Sequence, residues 1–144
     1  MALASDRNVP RHSSAGVPNV LAFPQKGSTT LYNGALCVLN AGYLAPGTAA
    51  TGLITAGVRT KGKSANVGAD GAVGYSAVEV TAGVFPFKNS SSGDAITQAD
   101  VGADCYIVDD ETVAKTNGSN TRSKAGKIVA VDANWVWALV GLTV

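Results

Sequence analysis

From Thr29 onward the apolar residues of this chain come in short runs, each stopped by residues that turn a backbone: Asn33-Gly34, Ala41-Gly42, Pro46-Gly47, Asp70-Gly71 and Asn117-Gly118. Asparagine and glycine tolerate positive φ, and proline fixes φ while withholding an amide donor. Such pairs end one extended segment and send the chain into the next. Runs of this kind at roughly 8–12-residue spacing predict about ten short strands and leave no room for a long helix. The expected fold class is all-β, a small β-sandwich or β-barrel, with at most one short helical turn over Thr97-Gln98-Ala99-Asp100 and Thr97 as its cap. No stretch repeats itself with a period of roughly 20–50 residues, which argues against a solenoid.

The individual runs carry further detail. Ala35–Asn40 (ALCVLN) and Gly52–Val58 (GLITAGV) read as buried strands, and Tyr75–Thr81 alternates as a half-buried strand does. Pro86 within Gly83–Lys88 marks an edge strand or a bulge. Cys105–Asp109 and Thr112–Lys115 read as one hairpin, and Lys127–Asp132 with Asn134–Val144 as another, turning at Asp132-Ala133-Asn134. On the last strand Trp135, Trp137 and Leu139 share one face while Val136, Ala138 and Val140 share the other. Neither face is polar, so the strand is central and covered on both sides, or one side meets another subunit. Arg59–Asp70 is polar and reads as an exposed loop or hairpin tip, and Asn89–Gly93 as a plain loop.

Residues 1–28 differ from the rest. They hold three of the five prolines, Pro10, Pro18 and Pro24, and their apolar residues are too scattered for a helical stripe. Proline biases its predecessor towards extended conformations, so the segment is expected to be an extended arm ahead of a single β domain at 29–144. Stretched out, an arm of this length reaches at most about 85–95 Å. Val17, Val20, Leu21 and Phe23 are apolar anchors that a purely solvated tail does not need, which favours an arm that orders on a partner.

The 144 residues suit one domain that reaches a stable core without disulfides or metal. Only 15% are charged, against about 25% in ordinary soluble domains, and this points to a surface partly covered by something else. A net charge of +1 argues against nucleic-acid and membrane partners, which call for a basic excess. Asp6 and Arg7 fall where a secretory leader needs an apolar centre, so no export is expected. In a reducing compartment Cys37 and Cys105 read as free thiols on apolar strands.

Catalytic apparatus is not expected, nor any cofactor. His12 is the single histidine and lies in the arm, away from any fixed nucleophile. Gly62-Lys63-Ser64 is read as lacking the upstream glycine, five residues before, that a phosphate-binding loop requires. Asp100, Asp104, Asp109, Asp110 and Glu111 could offer oxygens to a divalent cation, but they lack regular ligand spacing and read better as charged hairpin edges. Arg59, Lys61 and Lys63 form a basic group without interleaved aromatics, a candidate contact loop for an acidic patch on a partner.

Several stretches carry a resemblance: MALASDRNVPR, LYNGALCVLNAGYLAPG, GVFPFKNSSSGDAIT, DVGADCYIVDDETVAKTNGSNTRSKAGKIVAVD and VWALVG. Together they resemble a family of small proteins of tailed phages and prophages encoded near the major capsid protein, with the run from Cys105 to Thr116 the most distinctive. The resemblance implies a capsid decoration (cement) protein: a β domain with an N-terminal arm that is made in the host cytoplasm and binds the outer capsid surface of the virion. It implies the major capsid protein as partner and a homo-oligomer, a trimer in preference to a dimer. It offers no catalytic residues. On this reading the arm grips the shell, through Arg7, Pro10, Arg11, Val17, Val20, Leu21 and Phe23. The rival readings are a head-spike, fibre or host-surface binding module using Tyr43, Tyr75, Phe85 and Phe87, and a tail-tube or head-completion protein.

Overall fold

The computed structural model describes residues 20–72 and 78–142. They form twelve strands: β1 (Val20–Phe23), β2 (Thr29–Leu31), β3 (Leu36–Asn40), β4 (Tyr43–Pro46), β5 (Ile54–Val58), β6 (Ser64–Asn66), β7 (Val78–Thr81), β8 (Gly83–Asn89), β9 (Asp104–Ile107), β10 (Thr112–Ala114), β11 (Lys124–Val131) and β12 (Val136–Val140). The expected helical turn is a single 3-10 turn at Gln98–Asp100, where the Asp100 carboxylate accepts from the Thr97 amide at 2.8 Å and its hydroxyl at 3.2 Å. A second turn, Ser92–Asp94, lies in the stretch read as a plain loop, so there are two rather than one.

The C-terminal strands close into a barrel in the order β10-β8-β12-β11-β9. Both expected hairpins are present, β9 antiparallel to β10 and β11 antiparallel to β12. Pro86 fits β8 for a simple reason. The Lys88 amide donates to Glu111 on the β10 side at 2.7 Å, and alternate amides on a strand point the same way. The donor that Pro86 lacks would therefore point to the β10 side of β8, where the pairing with β10 spans only Lys88 and Asn89 and asks for no bond at Pro86.

The N-terminal strands form a five-stranded sheet, β1-β7-β5-β3-β4. The chain leaving β1 closes its far side: Gln25 bridges Leu44 in parallel, with Leu44 N donating to Pro24 O at 2.8 Å and Lys26 N to Leu44 O at 2.9 Å. Residues 20–28, expected in the arm, are thus built into the β domain. Alternation explains it, because Leu21 and Phe23 are half-buried while Val20 and Ala22 face outward.

Two cores result. Phe87, Ile107, Val113, Ile128, Val136 and Val140 of the barrel pack with Leu36, Val38, Ala45 and Val58 of the sheet. Leu31, Cys37, Leu44, Ala56, Val78 and Val80 form the second, with Phe23 and Leu39 at its margin. Each large side chain so buried contributes roughly 1.5–3 kcal/mol. β5 serves both cores through a bulge: Gly57 pairs with Cys37 and Thr55 with Val38, leaving Ala56 as the extra residue. Gly57 has φ +148°, and a Cβ there would lie 2.7 Å from the Thr81 carbonyl oxygen, so only glycine fits.

β6, which pairs antiparallel with β2 in a separate two-stranded sheet, lies inside the stretch expected to be an exposed loop. Its polar residues are buried because backbone and amide groups satisfy them. Gln25, fully buried, donates through Nε2 to Thr29 O, Thr29 Oγ1 and Ser64 O, each at 3.1 Å, and accepts from Ser64 Oγ at 2.7 Å. Asn66 Nδ2 donates to the Gln25 carbonyl at 3.0 Å and the Ala69 carbonyl at 2.9 Å.

Candidate interaction surface

The three consecutive barrel strands β8, β12 and β11 turn Val136, Ala138, Val140, Phe87 and Ile128 inward. Their outward residues follow from the register. Trp137 lies between Pro86 and Ala130, and Leu139 between Val84 and Lys127. Val84 and Val129 are exposed, 45% and 46%, and Trp137 and Leu139 are half-buried. The last strand is therefore central, but among the described residues only one of its two apolar faces is covered by the core.

At one end of this face lies a groove of about 470 Å³ lined by Leu53, Ile54, Leu139 and Leu142, with Lys124 and Lys127 beside them. Its floor is held by Gly126, where a Cβ would stand 2.2 Å from the Leu139 carbonyl oxygen. Ile54 is 55% exposed and Leu142 44%. Both lysines reach the same oxygen, Asp104 Oδ1, at 3.3 Å. Burial alone would push the Asp104 carboxyl up, but the two ammonium groups outweigh it and hold it below its ordinary value. Two cations share one anion, which leaves a positive excess at the rim.

At the opposite end the β11–β12 turn is organised by Asp132. Its carboxylate accepts from Trp137 Nε1 at 3.0 Å and from the amides of Asn134 and Trp135, each at 2.8 Å. These bonds, the indole's first, hold its pKa below the usual carboxylate value. They also fix the indole of Trp137 and leave Trp135 at the tip of the hairpin, 40% exposed.

The residues singled out in the sequence disperse. Arg7, Pro10, Arg11, Val17, His12 and Tyr75 lie outside the described residues. Val20 is on the outer side of β1, whereas Phe23 packs on the second core, so it is not free to grip a partner. Arg59 is no exposed contact residue: it is 8% exposed, and its guanidinium donates to the carbonyls of Gly62 at 2.6 Å, Glu79 at 2.9 Å and Lys61 at 3.2 Å. A planar fork with several donors suits a turn crowded with carbonyls, and that draws it inward. Lys61 pairs with Glu79 at 3.1 Å, and Lys63 is exposed without an ion pair among the described residues. The basic group is thus reduced to two lysines.

Counted from Gly57, the stretch Gly57–Ser64 has the G-x-x-x-x-G-K-S spacing of a phosphate-binding loop, which reading Gly62-Lys63-Ser64 without Gly57 passes over. Its surroundings are wrong for that role. Gly57 and Val58 end β5, and Ser64 begins β6, where the motif needs a helix N-terminus to face phosphate.

The acidic residues are mostly held by lysines: Asp100 by Lys115 at 3.6 Å, Asp104 by Lys124 and Lys127, and Glu111 by Lys88 at 2.9 Å. Among the described residues no three or more His, Cys, Asp or Glu side chains group as a metal site. Of the aromatics proposed for a binding groove, Phe87 is in the core, 2% exposed, and Phe85 packs against it. Cys37 and Cys105 are free thiols in different cores, and burial pushes each up to about 12.

Comparison with known proteins finds no matching family model, no matching curated protein and no matching solved structure. The surface itself therefore carries the functional argument. It offers apolar side chains on fixed strands, a shaped groove and a separated pair of charges, which together suit association with another protein.

Proposed function

We propose that this chain is a phage head decoration (cement) protein, which binds the outer capsid surface and stabilises the shell by bridging neighbouring major capsid protein subunits. The observation that carries this reading is the apolar face of β8, β12 and β11 that the described residues leave uncovered, running from Pro86 and Trp137 to Val84 and Leu139. A free monomer with 15% charged residues gains from having such a face covered, and contiguous exposed apolar area marks interaction surfaces. The resemblance of the quoted stretches to decoration proteins names the class of partner. A coat of many copies needs only modest affinity at each contact, since the contacts act together.

The residues ahead of β1 are assigned the shell contact, with Arg7, Pro10, Arg11 and Val17 as its anchors. An extended segment that adds itself to a neighbour's sheet edge gains main-chain hydrogen bonds with little side-chain specificity. The test is to mix purified protein with undecorated capsids and image the particles. Density over the whole shell is the expected result. Density at a single vertex would instead favour the spike or head-completion reading, and absence of binding would overturn the proposal.

A further inference from the structure

The β11–β12 hairpin carries a knob at one end and a hole at the other. Trp135 is an exposed aromatic residue at the turn, and the Leu53/Ile54/Leu139/Leu142 groove lies beside the open end of the same hairpin. Along the chain from Trp135 the groove begins at Leu139, about 13 Å away, and runs on to Leu142 at about 23 Å, beyond the reach of one indole within a single molecule.

We propose that copies of this chain join head to tail, the Trp135 tip of one hairpin seated in the groove of the next. Size and charge both fit. The groove, about 470 Å³, lies within the roughly 300–1,000 Å³ of sites that enclose small ligands, and an indole is smaller than these. The carboxylate of Asp132 stands beside the tip, exposed and ionised, while the groove rim carries Lys124 and Lys127 against the single charge of Asp104. Tip and rim thus bear opposite net charge, which steers and orients the approach. Unlike patches meeting in this way form a heterologous contact, which closes into a ring when the rotation permits. The inference does not rest on the capsid reading, and the experiment involves no capsids.

The full-length chain is measured by sedimentation velocity and light scattering, beside Trp135→Ala and Leu142→Glu. Both changes are at exposed positions, and Ile54→Glu, on a different strand, serves as a second groove variant. Circular dichroism confirms that each is folded. The wild type is expected at two or more times the 14.5 kDa of one chain, and each variant at the mass of a monomer. An equimolar mixture of Trp135→Ala and Leu142→Glu is the decisive sample: one supplies an intact groove and the other an intact tip, so the mixture forms a heterodimer although neither partner self-associates. A monomeric wild type at the highest soluble concentration overturns the proposal, as do tip and groove variants that keep the wild-type mass, or a mixture that stays monomeric.

Discussion

Gly126 shows how a single position decides whether the barrel can close. Its missing side chain admits the Leu139 carbonyl from β12, at a bulge in the β9–β11 pairing. Gly126→Ala is expected to lower stability by about 1–3 kcal/mol through forced backbone displacement, seen as a reduced urea midpoint. Asp132 acts through protonation instead. Its folded-state pKa is depressed, so its contribution is complete above the ordinary carboxylate range and is lost as pH falls through the lower folded value. Titration below about pH 4 should release the Trp137 indole and shift its NMR resonance. Asp132→Asn should abolish that acid step. Arg59 belongs at this scale too, as a cation used entirely on carbonyl oxygens of its own chain.

Among the elements, β1 and the residues after it join the N-terminal segment to the fold. Removing residues 1–27 takes away β1 and Gln25 and should lower the urea midpoint markedly. Gln25→Ala leaves Ser64 and Thr29 without their buried partner, at a cost of about 1–3 kcal/mol for each polar group stranded. The strands bracketed by turn pairs, such as Leu36–Asn40 after Asn33-Gly34, were legible because local chemistry both starts and stops them. β1 was not, since its partner β7 lies far along the chain and nothing local in a proline-rich stretch announces the pairing. β6 was hidden for another reason: Ser64-Ala65-Asn66 looks solvated until Gln25 is placed against it. The open face of β12 was legible, because a strand with no polar side must be covered twice.

For the molecule as a whole, the two cores are expected to unfold together. β3 contributes Leu36 and Val38 to one and Cys37 to the other, so neither can come apart while β3 remains in place. Cys105 in the first core and Cys37 in the second provide independent probes. Both thiols should resist Ellman's reagent in the native protein, being buried and held protonated. They should become reactive over the same range of denaturant, as two-state behaviour requires; separate ranges would show two independently folding units. The groove was less legible than the fold. Ile54 stands far in sequence from Leu139 and Leu142, and only the packing of β5 of the sheet against β11 and β12 of the barrel brings them to one groove.

The route by which the chain enters β1 also has a mechanical side. The strand is held to β7 over four residue pairs, from Val20 with Thr81 to Phe23 with Val78, and the chain is then pinned to β4 at Leu44. A tether leaving along the axis of β1 loads these hydrogen bonds together, whereas one leaving sideways breaks them one at a time. The force that the anchorage withstands is therefore set by the direction in which the preceding residues are pulled, even with every contact in the domain unchanged.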